Sequence, residues 1–275
     1  MKTTFIGAGS MAEAMISGAI SSGALAAGDI YATNRADEGR LQELKARYGI
    51  HTSYETEAIL SDSHIVVLAV KPKDAREALK KINAHLSPSS LIITLMAGVT
   101  TRFIEQEAGR PFAVVRAMPN TSAAVGKSAT AIALNKYVTE EQKLAALALF
   151  SSIGLTKIVK EEQLDAVTGL SGSGPAYIYY VAEAMEQAAE AIGLEKETAK
   201  PLIIQTLLGA AEMLSASEGK AEQLRKGVTS PGGTTEAGIR ILEAEKVKQA
   251  FVDCIVEATA QSKRLGLPYQ SPIKQ

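Results

Sequence analysis

The sequence predicts an α/β domain with a doubly wound, mostly parallel sheet over residues 1–160, followed by an all-helical domain over residues 161–275. Three observations lead there. Short, near-continuous runs of Ile, Val and Leu alternate with polar stretches of helical length through the first part. After Glu161 the strand signal stops and long, largely apolar helical segments follow. The first apolar run ends in a glycine-rich turn that leads straight into a helix.

The expected strands are Thr3–Ile6, 29–33, 64–70, 91–96, Ala113–Met118 and Ser128–Leu134. Strands covered by helices on both faces need no polar side, which is why several of these runs are unbroken Ile, Val and Leu. Segments 74–84 and 101–108 have the length of crossover helices. In the second part, residues 176–192 carry Glu183, Glu186 and Glu190 on one narrow stripe, with apolar or small residues almost everywhere else. A helix apolar around most of its circumference has to be buried, and one small domain covers it poorly. Residues 198–214 repeat the pattern, with Pro201 expected in the first turn, where it is tolerated. Val247, Phe251, Cys254, Ile255 and Ala258 form a further stripe on the last helix. These faces predict burial against a second copy of the chain, with packing on the first domain alone as the alternative.

Composition narrows the function classes. With 46% hydrophobic and 21% charged residues, the chain can bury a sizeable core. A net charge of −1 provides no field for nucleic acid or an anionic membrane, and no basic run or stacking platform stands in for one. Cys254 is the only cysteine, which excludes an intrachain disulfide and a cysteine-based zinc site. No apolar run reaches the roughly 20 residues of a membrane span. The chain enters a strand pattern after one lysine, without a charged-then-apolar leader. A cytoplasmic protein without metal, nucleic-acid or membrane partners is expected.

The turn reads Ile6-Gly7-Ala8-Gly9-Ser10-Met11-Ala12, a G-x-G-x-x-A pattern with a helix beginning near Ser10. Gly7 permits the tight turn, Gly9 removes a side chain that would block a pyrophosphate, and Ala12 lets helix and strand pack closely. The helix N-terminus offers free N–H groups and partial positive charge to phosphates. The alternative is a tight turn with no ligand. Cofactor choice is read at the tip of the second strand, where NAD sites carry an Asp or Glu for the ribose 2′-hydroxyl. Here the strand ends in Asn34-Arg35, and Arg35 can pair with a 2′-phosphate while stacking on adenine. NADPH is therefore favoured, with NADH usable; Asp37 is a carboxylate close by that counts the other way.

Further segments carry a resemblance: Ala69-Val70-Lys71-Pro72, Met96-Ala97-Gly98-Val99, Arg116-Ala117-Met118-Pro119-Asn120-Thr121, Leu170-Ser171-Gly172-Ser173-Gly174-Pro175 and Val228-Thr229-Ser230-Pro231-Gly232-Gly233-Thr234-Thr235. Together with the glycine loop they resemble the pyrroline-5-carboxylate reductase family, over nearly the whole chain. The resemblance implies a Rossmann-type domain and a helical dimerisation domain, self-association as a homodimer that can assemble into a decamer, and reduction of 1-pyrroline-5-carboxylate to L-proline. It implies that Ala69, Val70, Lys71, Pro72, Met96, Ala97 and Gly98 hold the nicotinamide ribose and ring. Ser230, Gly232, Gly233, Thr234 and Thr235 match the segment that holds the substrate carboxylate and ring nitrogen, and Glu218 stands where the family often has an acidic residue. Thr56 departs from an asparagine that helps hold the adenosine; one hydrogen bond remains available to it.

Read by itself, the 230–235 segment predicts Ser230 as an N-cap, Pro231 at the first helical position, and the N–H groups of Gly232 and Gly233 open to an anion. An ordinary capped helix entry is the alternative. His51, His64 and His85 lie away from the expected strand-end loops, and no metal-ligand spacing joins them to carboxylates. The chain thus lacks an acid–base pair for oxidising an alcohol. A protonated imine needs none, because its carbon is already electrophilic; positioning and a hydrogen-bond partner for nitrogen suffice, with Thr235 as that partner. Two other readings are a β-hydroxyacid dehydrogenase, whose lysine about one turn into the first long helix has no counterpart in residues 177–187, and a non-catalytic NADP-binding oligomer.

Overall fold

The computed structural model describes residues 1–270. Among the described residues, the first compact unit comprises Met1–Pro175 together with residues 256–270, and the second is Ala176–Ile255. Compactness thus divides the chain elsewhere than the change of periodicity at residue 160, and the division cuts the last helix.

The first unit contains β1 (Thr3–Ile6), α1 (Ser10–Ser21), β2 (Ile30–Thr33), α2 (Glu38–Tyr48), β3 (His51–Thr52), α3 (Thr56–Leu60), β4 (Ile65–Leu68), α4 (Ala75–Ile82) and β5 (Leu91–Thr94). It continues through α5 (Thr101–Ala108), β6 (Ala113–Met118), β7 (Ser128–Leu134), α6 (Glu140–Ser151), β8 (Gly154–Ile158) and the single turn α7 (Leu164–Val167). The strands form one sheet in the order β3-β2-β1-β4-β5-β6-β7-β8. All neighbours are parallel except β6 and β7. The order reverses at β1, which pairs with β2 on one side and β4 on the other. Ile6 lies in register with Thr33 and with Leu68, so the turns that follow all three strands open at one edge. Such a reversal point is where open α/β sheets bind their ligands.

The central strands β1, β4, β5 and β6 feed two cores. Phe5, Ile65, Val67 and Ile93 pack with Met15, Ile16, Leu44 and Phe150 on one face. Ile6, Val66, Leu68 and Ile92 pack with Leu79, Ile82, Phe103 and Ile104 on the other. This is the physical source of the unbroken apolar runs. Two strands carry no such run. β3 is a two-residue edge, and β8 is an edge whose Leu155 and Ile158 remain exposed. The strands expected over 64–70 and 91–96 end earlier, at Leu68 and Thr94, which frees residues 69–72 and 95–98 as loops.

The second unit contains α8 (Gly174–Ala191) from Ala176, α9 (Lys196–Ala216), α10 (Ala221–Gly227), α11 (Thr234–Ala244) and the beginning of α12 (Val247–Gly266). Because α9 starts at Lys196, Pro201 lies in its second turn and not in its first. There the ring removes the donor that would meet the Glu197 carbonyl. Its own core is small, built on Ala189, Ala199 and Ile203. Tyr179, Tyr180, Leu202, Leu208, Met213 and Ile241 are exposed in the isolated chain, Tyr180 at 74%. An apolar groove of about 550 Å³ runs between Tyr177 and Tyr180 on α8 and Phe251 and Cys254 on α12. Apolar surface on this scale marks an association face. Among the described residues no helix is long and apolar enough to cross a membrane.

Candidate functional site

The glycine turn is built by sterics. Gly7 has φ +110°, and a Cβ there would lie 2.5 Å from the Ala69 carbonyl oxygen. Its N–H donates to Thr33 O at 2.9 Å, while Ala69 N–H donates to Ile6 O at 2.8 Å, which closes the β2 and β4 loops onto the turn. Only glycine fits. Gly9 is the N-cap of α1 and supplies no side chain to the helix end; a Cβ there would meet open space. That space, with the first N–H groups of α1 facing it, fits a pyrophosphate. Ala12 is fully buried, and Ala8 nearly so, while Ser10 is exposed and Met11 half-buried.

One residue holds this turn that sequence reasoning missed. Arg40 of α2 donates from Nε to the Ala8 carbonyl at 3.0 Å and forms ion pairs with Glu13 of α1 and Glu43. Glu13 also takes bonds from Arg47 Nη1 and the Tyr48 hydroxyl, both at 3.0 Å. The Arg40 guanidinium, first of all, holds the Glu13 carboxyl below its ordinary range. The acid in the first turn of α1 is thereby directed to α2 and away from the open space at Gly9. No local pattern announces a contact between residues 8 and 40; it exists only because α1 and α2 pack side by side.

At the β2 tip, the Asn34 side chain is fixed by Asp37 N–H (2.9 Å), Asp37 O and the Tyr54 hydroxyl (3.0 Å). Asp37 is the N-cap of α2, accepting from Arg40 N–H at 2.9 Å. The Asp37 carboxylate is therefore engaged in capping. Arg35 is exposed and lines a cavity of about 360 Å³ together with Ile6, Gly7, Asn34, Thr56 and Val70. Asp74, Glu77 and Lys81 from the α4 side line it too, and none of them was expected. Lys71 and Pro72 begin the 3₁₀ turn beside it.

Beyond β5, Met96 is buried and its N–H donates to Thr94 Oγ1 at 3.2 Å, while Ala97 is half-buried. Gly98 takes φ +76°, and a Cβ there would lie 2.7 Å from Gly266 Cα. The three histidines stand apart. His64 lies at the amino end of β4, the end of the sheet opposite these loops, with its N–H donating to Lys2 O. His51 stacks on Tyr31 at 4.7 Å between ring centres, and His85 ends a 3₁₀ turn.

In the second unit, the 230–235 segment differs from expectation. α11 begins at Thr234 with Gly233 as its N-cap, and Ser230 provides no cap. The reason is a tight turn, with Gly232 at φ +71° and Gly233 N–H donating to Ser230 O at 3.1 Å. Gly232 N–H is not open either, because Glu236 Oε2 accepts it at 2.8 Å. The donors that remain are the first-turn N–H groups of α11 on Thr234, Thr235 and Glu236, which no acceptor of the described residues meets. Thr234 and Thr235 are both exposed there. Glu218 is exposed in the turn between α9 and α10.

Comparison with known proteins gives this arrangement its relatives. The family described as "Pyrroline-5-carboxylate reductase dimerisation" matches residues 161–265, and that described as "NADP oxidoreductase coenzyme F420-dependent" matches residues 2–98. The chain is 46% identical to Bacillus subtilis pyrroline-5-carboxylate reductase 2 over 96% of its own length and 95% of that protein. A pyrroline-5-carboxylate reductase structure from Coxiella burnetii superposes with TM-score 0.89 at 40% identity, covering 96% of this chain and 98% of that one. The Plasmodium falciparum pyrroline carboxylate reductase with NADP bound superposes with TM-score 0.88 at 29% identity, covering 97% and 98%. With relatives this similar over nearly its full length, neither the hydroxyacid dehydrogenase nor the non-catalytic reading is retained, and the chain belongs to the pyrroline-5-carboxylate reductase family.

Proposed function

We propose that the chain reduces 1-pyrroline-5-carboxylate to L-proline, with NADPH preferred over NADH. The observation that carries this reading is that the relation to reductases of this imine spans 96% of the chain, so the glycine-turn cavity and the 230–235 segment both fall inside it. Bound NADPH supplies the hydride. The turn at Gly7 and Gly9, with Ser10, Met11 and Ala12 opening α1, holds the pyrophosphate, and Arg35 with Asn34 and Thr56 holds the adenosine 2′-phosphate end. Support for NADPH comes from the capped Asp37 carboxylate and the exposed Arg35 in the same cavity as Gly7. Residues 69–72 and 96–98 orient the nicotinamide.

The substrate arrives as a protonated imine. Hydride adds to its carbon, the C=N π electrons fall to nitrogen, and the neutral secondary amine then takes a proton from water. No protein group has to give up a proton at the reacting atoms. The Thr235 hydroxyl hydrogen-bonds the nitrogen and sets its position, while the first-turn N–H groups of α11 cradle the carboxylate. Glu218, exposed between α9 and α10, is the acidic residue assigned to the substrate side in this reading. Residues 1–160 form the NADP-binding domain in this reading and 161–275 the dimerisation and substrate domain. Self-association follows from the dimerisation family matched at 161–265; a homodimer able to build a decamer is the form we propose. A cytoplasmic setting accompanies it. The deciding assay follows loss of NADPH absorbance with pyrroline-5-carboxylate against 3-hydroxyisobutyrate with NAD; turnover of the hydroxyacid alone would overturn the proposal.

A further inference from the structure

The chain around residues 96–98 is braced from two directions by segments distant in sequence, both within the first unit. Glu161 reaches α5, accepting from Thr101 N–H at 2.8 Å and from Thr101 Oγ1 at 2.7 Å. A carboxylate from 60 residues away thus caps the helix that begins three residues after Gly98. Behind it stands Arg116 of β6, 4% exposed, with Nη1 3.6 Å from Glu161 and Nη2 3.7 Å from Asp165. Asp165 in turn accepts from Ser262 Oγ of α12 at 2.7 Å. Arg116 is the buried member of this ionic cluster, while Glu161 keeps 31% of its side chain exposed; removing a partner leaves the buried guanidinium charge less compensated, which is costly.

The second brace is the end of α12. Gly266 packs so closely on Gly98 that a Cβ on Gly266 would lie 3.2 Å from Gly98 O and 3.3 Å from Gly98 Cα. Just beyond, Tyr269 O accepts from Thr100 Oγ1 at 3.2 Å, and the Tyr269 ring meets Phe103 edge-on at 5.1 Å. The loop is held by Glu161 through α5 and by Gly266 directly.

We infer that Glu161 and Gly266 are positioning residues for hydride transfer, acting through the Met96–Gly98 backbone that sets the nicotinamide ring. This rests on the reading that residues 96–98 orient the nicotinamide. A small shift there changes the approach of hydride to the imine carbon without touching the groups at the glycine turn and Arg35 that supply cofactor affinity. Reaction rate is steep in that distance, since about 1 Å of misplacement can cost roughly 100-fold.

The test uses the full-length enzyme with Glu161→Ala, Glu161→Gln and Gly266→Ala. Gly266 lies on α12 at φ −79°, so Ala adds only a methyl, which meets the movable Gln270 side-chain amide at 3.2 Å and presses on the Gly98 backbone by a few tenths of an ångström. Gly266→Ala is expected to lower kcat about 3- to 10-fold, and Glu161→Ala about 10-fold, with NADPH Kd within about twofold in each. The primary isotope effect on kcat with NADPH deuterated at the transferring position should rise, because hydride transfer becomes slower relative to other steps. Glu161→Gln keeps both bonds to Thr101, its amide donating to the hydroxyl, and should recover most of kcat. Unchanged kcat and isotope effect in Gly266→Ala and Glu161→Ala would overturn the inference. So would a fall of kcat in step with Tm and NADPH affinity while the isotope effect stays put. Hydrogen exchange of the unmodified enzyme separates the two readings. Protection of amides 96–98 by NADPH with unchanged variant kinetics removes the brace alone, whereas absent protection removes the nicotinamide assignment and the brace with it.

Discussion

Replacing Arg35 by alanine removes the cation on which the NADPH preference rests. Its neighbourhood sets the size of the effect. Asn34 is locked by Asp37 and Tyr54, and Asp37 is committed to α2, so neither substitutes for the guanidinium or opposes a phosphate strongly. Arg35 is exposed, which places the pair in high dielectric, where two unit charges at about 4 Å gain roughly 1–4 kcal/mol. Lys81 lines the same cavity and retains part of the attraction, while Asp74 and Glu77 oppose it. The net loss should be about 1.5–2.5 kcal/mol, roughly 10- to 70-fold in kcat/KM for NADPH. NADH carries no 2′-phosphate, so its kcat/KM should change by less than about threefold. Arg35→Lys should fall between, because an ammonium keeps the charge without the planar fork. The gap between cofactors should also narrow as ionic strength rises. Steady-state kinetics with both cofactors at two salt concentrations gives all these values. An equal fall for NADPH and NADH, or no fall for either, would refute the assignment of Arg35 to the 2′-phosphate.

Thr235→Val keeps shape and deletes the hydroxyl, and should lower kcat/KM about 10- to 100-fold without abolishing turnover; complete loss with NADPH binding intact would mean that Thr235 moves a proton. Gly233→Ala would set a Cβ 2.6 Å from Ser230 Oγ and 3.1 Å from Ser230 O, so the hydroxyl must rotate away and the turn before α11 give by a few tenths of an ångström; KM for the imine should rise about tenfold with smaller effect on kcat. Because Arg40 holds the folded-state Glu13 carboxyl below its unfolded value, the pair stabilises the fold above the ordinary carboxylate range and loses that contribution as pH falls through the lowered value. Glu13→Gln should therefore lower Tm at neutral pH and reduce its acid dependence, and parallel Tm–pH curves would contradict the pairing. Light scattering should find no monomer at micromolar concentration, with an interface above roughly 2,000 Å²; a stable, fully active monomer would remove the association face from the account.

Several features follow from residues close together in the chain and were legible there. The unbroken runs at Ile65–Leu68 and Leu91–Thr94 require apolar cover on two faces, which only a helix-sandwiched sheet provides. Gly7 stands in a strand-to-helix turn whose pattern calls for a glycine's freedom of φ, and the nearly all-round apolar helix after Gly174 calls for burial beyond its own unit. Edge strands were silent, since β3 and β8 owe their extended form to hydrogen bonds with a neighbour and not to a buried face. The cap of α11 was misplaced by three residues because Ser230 has the right chemistry, but the turn through Gly232 brings Gly233 to the capping position. Arg40 on Ala8, Glu161 on Thr101 and Gly266 against Gly98 join positions separated by 32, 60 and, at the far end of α12, more than half the chain. Local propensity and periodicity decide which segments become strands, helices and tight turns. Which side chain then meets which backbone depends on how those elements pack, and only the tertiary structure determines that.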